Sequence, residues 1–285
     1  MVMLAGNPIW AEWSWEPGVV LPLAASALLY GRGAIVLRRR TSRTPDSRAI
    51  ACFASGWVVL ALALISPLHE ISEQLFSAHM VQHELLMTVS APLLVLGRPG
   101  IVMLWGLPSD ARHRVGRLLR ARALRATWRA LVRPFDAWLL HGVAIWAWHI
   151  PALFERTLTS DAVHALQHAS FLGSALLFWW SVIYVQRRAA RGASIVYLFT
   201  TAVHTGVLGA LMSFSRIIWY PAYGDRALAW GLTPLTDQQL AGLIMWIPAS
   251  VAYLVAALLL IRLWLRESEW AVARAERASY ALTGH

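Results

Sequence analysis

The sequence predicts an all-α fold, a polytopic membrane helical bundle with seven transmembrane helices, and three observations carry that prediction. Hydrophobic residues fill 58% of the 285 positions and charged residues 14%, with a mean hydropathy of +0.53. An average soluble domain carries about 25% charged residues. The apolar residues are gathered into runs of about 20, the length that crosses a hydrocarbon core of roughly 30 Å. Those runs are continuous, whereas a membrane β-barrel would show alternating segments of about 10 residues.

In chain order, residues 1–18 are expected to form an extracytoplasmic N-terminal segment. It has no basic start and carries Glu12 and Glu16, so it does not read as a signal peptide. The transmembrane domain covers 19–265. Its first span is Val19–Leu37, weakened by Pro22 and by the glycines at 31 and 33, and the second is Ala49–Leu68. The third is Phe76–Pro99 (FSAHMVQHELLMTVSAPLLVLGRP) and the fourth Phe135–Phe154 (FDAWLLHGVAIWAWHIPALF). Asp161–Val185, Ser194–Ile218 and Gln239–Leu265 follow, and 266–285 is the tail. Asp237, just before the last span, is positioned to cap it.

Charge sets the orientation. The formal charge is +10, every basic residue is arginine, and all but Arg156, Arg216 and Arg226 of the 25 fall on one side of the spans. The blocks are Arg32–Arg48, Arg98–Arg133, Arg187–Arg191 and Arg262–Arg277. The positive-inside rule puts them in the cytoplasm, with the N-terminus outside and the C-terminus inside, as an odd number of spans requires. Arginines dispersed between spans argue against a nucleic-acid partner; the lipid bilayer is the surface they meet. The basic segment 98–133 suits either a topology-enforcing loop or an interfacial helix on anionic lipid.

Ionisable residues inside a membrane span point to function, and here they are histidines together with Glu84 of the third span. Glu84 faces about 100° away from the His79/His83 stripe and is expected only to meet another helix. His79 and His83 are four apart, hence one turn apart on one helix face, and Met87 continues the stripe. His164 and His168 repeat the spacing in the fifth span, His149 closes the fourth in WAWHIP, and His69 closes the second. All six fall in the outer layer. Two imidazoles one turn apart can hold one metal ion, and a second helix can complete the set; with a thioether nearby, copper is the metal such donors favour. His204 near the middle of the sixth span is a further candidate, while His141 reads as a hydrogen bond to a neighbouring helix. Asp161 offers either an orienting carboxylate for an imidazole or a helix cap. His69 suits the headgroup region equally, and Met87 suits packing. Cys52 is the sole cysteine, so there is no intramolecular disulfide and no CxC or CxxC metal motif.

HMVQHELLMTVSAPLLVLGRP resembles the signature of the multi-pass CtaG-type cytochrome c oxidase assembly factors, associated with caa-type oxidases of bacteria. WAWHIPALFE, DAVHALQHASFLGSALLFWW and DQQLAGLIMWIPAS resemble that family's other blocks, in the same order. The resemblance implies a non-enzymatic plasma-membrane protein that matures a haem–copper oxidase. Its partners would be oxidase subunits and a copper donor, and His79, His83, His149, His164 and His168 match the family's histidines. Two other classes compete. A b-haem electron carrier would use histidines on facing helices, but an i,i+4 pair cannot straddle one haem plane. A copper transporter would need a relay across the membrane, and only His204 and His141 lie deeper than the outer layer.

Overall fold

The computed structural model describes residues 3–4, 7–8, 12–40, 46–185 and 191–283. Apart from a two-residue antiparallel pairing of Met3–Leu4 with Asn7–Pro8, the regular structure is helical. Five helices are long and apolar enough to cross a membrane, and two further pairs qualify together across a bend. Counting each bent pair as one span gives the seven that the sequence predicts.

Helix α1 (Pro17–Arg40) and α2 (Ser47–Ile65) form the first two spans. Asp46 starts α2 by accepting the Arg48 N–H at 3.2 Å. The predicted second span, Ala49–Leu68, ends early: Ser66 leaves the helix and its hydroxyl caps α3 (Pro67–Ser72), which carries His69. Helix α4 (Phe76–Glu84) passes through a wide π-type turn, Leu85–Ser90, into α5 (Ala91–Leu96). Pro92 has no N–H to give the Thr88 carbonyl, so a regular α ladder cannot close there. After Arg98, in the left-handed region at φ 51°, α6 (Pro99–Gly106) turns 63° away.

Part of the predicted basic segment 98–133 therefore packs back on the bundle. A Cβ on Gly33 of α1 would run into the Val102 carbonyl, and one on Gly106 into the Leu29 carbonyl. The glycine that weakens the first span in the sequence is what lets α6 approach it. The arginines follow in α7 (Ser109–Leu119) and α8 (Arg122–Leu131). In α8, Arg122, Arg125 and Arg129 share one face and Leu124, Trp128 and Leu131 the other.

The predicted fourth span, Phe135–Phe154, is not one helix. α9 (Pro134–Trp148) and α10 (Pro151–Thr157) meet at 79°. Pro151 forces Ile150 into extended backbone (ψ 123°), and the helix ends before it. Helix α11 (Asp161–Trp180) runs on through a π-type turn, Ser181–Val185, and α12 (Arg191–Ser213) crosses back. The loop 214–233 then holds two short 3-10 turns, Pro221–Tyr223 and Arg226–Trp230. Helix α13 (Pro234–Thr283) contains the predicted last span and continues unbroken through most of the 266–285 tail.

The core is aromatic and aliphatic: Phe171, Phe178, Trp179, Tyr253, Leu86 and Ile145 are buried within it. Trp179 donates its indole N–H to the Met87 carbonyl at 2.9 Å, satisfying an acceptor inside the wide turn. The histidine-bearing ends of α4 and α11 gather at one end of the bundle. The segment that holds α6, α7 and α8 lies about 30 Å away along α4–α5, as its 21 residues at about 1.5 Å each require.

Candidate metal centre

The site is built from the top of α4. Leu75 before it is extended and supplies no side-chain cap. The cap comes from across the bundle instead: Asp237 of α13 accepts the Phe76 N–H at 2.7 Å and the Ser77 N–H at 3.1 Å. A carboxylate there answers both the orphan donors and the positive end of the helix dipole. The expectation that Asp237 caps its own helix is thus corrected; Thr233 does that, accepting the Thr236 N–H at 3.1 Å. The two helices begin side by side, and the buried carboxylate serves the neighbour.

With α4 fixed, His79 and His83 point inward and are almost fully buried. Their ring centres lie 4.3 Å apart. Helix α11 brings His164 and His168, 4.4 Å apart, against them: His79 is 5.3 Å from His164 and 6.1 Å from His168, and His83 is 5.3 Å from His168. One nitrogen from each of His79, His164 and His168 lies within 4.8 Å of the others. Ligands at about 2.0–2.1 Å from an ion sit roughly 3.3–3.6 Å from one another.

Hydrogen bonding leaves these rings ready to ligate. His79 Nε2 faces the Gln167 side-chain oxygen at 3.3 Å, so the N–H belongs on Nε2 and Nδ1 keeps its lone pair. At the α9–α10 break, the His149 backbone N–H turns to Trp146, and its ring Nδ1 takes over the Ile145 carbonyl at 2.6 Å. Nε2 of His149 is left with a lone pair. Among the described residues, no hydrogen-bond partner meets His79 Nδ1, either nitrogen of His83, or the Nε2 of His149, His164 and His168. One such buried orphan costs about 1–3 kcal/mol, and a cluster of them is a set of lone pairs that a shared cation would satisfy. The donor set, imidazole alone, fits copper or zinc.

His69 stacks on His164 at 5.6 Å and presents Nδ1 to the Gln82 amide at 3.4 Å. Gln82 also donates to the Ala63 carbonyl at 2.7 Å, tying α4 to α2. Neither glutamine belongs to the sequence-predicted set, yet both are fully buried. The signal was present in the chain: HMVQH and HALQH place a glutamine at the same offset in each pair.

The loop 214–233 closes the site from above. Tyr220 donates to the His149 carbonyl at 2.8 Å and Tyr223 to the Ser72 carbonyl at 3.1 Å. Both rings pack at a tilt against Phe76 and Phe154 beneath. Asp161 lies beside the partly open His164, and Glu73 lies near Asp161, Glu70 and His69. Burial holds the Glu73 carboxyl above its usual range; Glu70 and Asp161 add to that, while His69 and Arg226 oppose it.

The model of the cytochrome c oxidase caa3 assembly factors (Caa3_CtaG) matches residues 28–267. The chain belongs to that family. No curated protein and no solved structure matches it. Its role is therefore in the assembly of a cytochrome c oxidase, with which it associates, and its apolar helices fit a multi-pass membrane protein.

Other residues singled out from this assembly factor's sequence lie apart from the imidazole cluster. His204 packs on α9 instead, accepting the Trp146 indole N–H at 3.4 Å and facing Gly142 and Trp138. His141 meets Ser174 at 3.0 Å, the helix-to-helix contact expected of it. Asp161 stands exposed in the first turn of α11 and makes no hydrogen bond to an imidazole among the described residues; Gln167 fills that orienting role. Met87 falls in the wide turn and is buried in the apolar core, because the π geometry ends the i,i+4 stripe after His83.

Proposed function

We propose that this assembly factor binds copper at His79, His164 and His168 and delivers it to a nascent oxidase subunit. The observation that supports this is the convergence of three buried imidazole nitrogens from two helices within 4.8 Å. Copper is cargo here rather than a resident cofactor, and no bond-making catalysis is assigned to the chain. With the arginine-rich segments in the cytoplasm, the histidine cluster faces the outer side of a bacterial plasma membrane. A donor protein would present copper there. Glu70, Glu73 and Asp161 supply negative potential at the approach, and His164 and His168, only partly buried, are the first imidazoles a cation meets. His83 and His149 offer replacement nitrogens as the ion leaves.

The test is metal content and optical spectrum together on detergent-purified protein, wild type beside His79→Ala/His83→Ala. Copper bound without a Soret band and lost in the double variant is the expected result. In a deletion strain the same variant, inserted normally, leaves oxidase activity unrestored. Full restoration, or a haem spectrum in the wild type, overturns the proposal.

A further inference from the structure

At the opposite end of the third span from the histidines, two cavities meet. The first, of about 910 Å³, lies between α1, α2 and α6 and is bordered by Arg48, Arg98, Cys52, Trp105 and Tyr184. The second, of about 600 Å³, runs along α5, α11 and α13 between aliphatic side chains such as Leu93, Val255 and Leu259. Leu96 and Ile183 border both, so the two form one cleft with a basic mouth and an apolar trough.

The mouth is built to hold negative charge. Asp46, its one carboxylate, is occupied as the cap of α2. Neither Arg48 nor Arg98 pairs with a carboxylate among the described residues. Arg98 is held in place: its backbone takes the left-handed conformation that a non-glycine residue rarely adopts, and its Nε donates to the Tyr184 hydroxyl at 3.3 Å. Arg112 of α7 lies 4.4 Å over the Trp105 ring, adding a third guanidinium at the rim. Tyr184 in turn donates to the Val95 carbonyl, fixing the wall between mouth and trough.

We infer that this cleft binds an anionic phospholipid, the phosphate at Arg48 and Arg98 and an acyl chain in the trough past Leu96 and Ile183. Guanidinium forks match phosphate oxygens, and basic pockets between helices suit anionic headgroups. A free anion would leave the apolar trough without a partner, and a zwitterionic lipid would bring its choline cation among the guanidinium groups.

Native mass spectrometry of the full chain, delipidated in detergent and then given equal phosphatidylglycerol and phosphatidylcholine, tests this. Phosphatidylglycerol is expected to be retained at least tenfold over phosphatidylcholine, and Arg48→Gln/Arg98→Gln to reduce that preference to within twofold. Ile183→Trp, which narrows the junction, should lower retention of both lipids while sparing copper binding. Equal retention of the two lipids by the wild type overturns the inference without any variant. So does displacement of phosphatidylglycerol by millimolar inorganic phosphate, which would mark a site for free anions.

Discussion

Gln167→Leu isolates the hydrogen bond that orients His79 in the proposed copper site. The glutamine oxygen is the partner of His79 Nε2–H, and the Gln167 amide nitrogen has no hydrogen-bond partner among the described residues. Leucine has similar volume and removes the unsatisfied amide, so stability should hold or rise slightly. The imidazole, however, loses the contact that keeps its lone pair on Nδ1. Removing an orienting partner of a metal-ligating histidine costs about 10–100-fold in affinity. The 3.3 Å separation is long for such a bond and puts the loss near the lower end, about tenfold or 1.4 kcal/mol. Competition against a chromophoric copper chelator measures it, with thermal unfolding in the same detergent as control. Gln167→Glu keeps an acceptor and should recover most of the affinity. A Gln167→Leu protein of unchanged stability that binds copper within twofold of wild type refutes the reasoning.

Asp237→Ala strips two backbone N–H groups of their acceptor at the head of α4 and should cost about 2–3 kcal/mol, read as a lowered midpoint of thermal unfolding. Gly33→Val drives side-chain atoms into the Val102 carbonyl, and separating α1 from α6 should cost about 2–3 kcal/mol by the same measurement. Met87→Leu conserves volume in the apolar core, so copper stoichiometry should stay that of wild type; loss of the metal would make the thioether a ligand. His83→Ala should leave copper affinity within about threefold while slowing transfer to an acceptor chelator about tenfold, equivalent to about 1.4 kcal/mol of barrier. Stopped-flow absorbance separates the two.

What could be read from the chain was whatever local chemistry decides. Continuous apolar runs place the spans, and i,i+4 histidines find each other because helix geometry puts them on one face in any context. What could not be read depends on neighbours. Ile150 and Pro151 look like a tolerable interruption of an apolar run, yet they turn the chain by 79° and free the Ile145 carbonyl that fixes the His149 ring. Asp237 has the look of a local cap, but α4 and α13 start at the same level and the carboxylate is shared sideways. Gln82 and Gln167 carry no charge, so a search for ionisable groups in the membrane passes over them, although their common offset within each histidine pair was visible.

The surplus of donors bears on what kind of site this is. A resident structural ion would be expected to use up the nitrogens around it, since closed tetrahedral sets leave none spare. Here His79, His164 and His168 form the compact group, while His83 and His149 keep further nitrogens without hydrogen-bond partners beside it. His83 is in ring contact with both His79 and His168, so an ion could exchange one imidazole at a time without passing through a naked state. On the copper-delivery proposal, the cost of holding unsatisfied imidazoles in the membrane is what would keep the ion exchangeable. Asp237 fixes the backbone at the top of α4 and Trp179 satisfies the wide turn beneath it, so such an exchange would fall to the side chains.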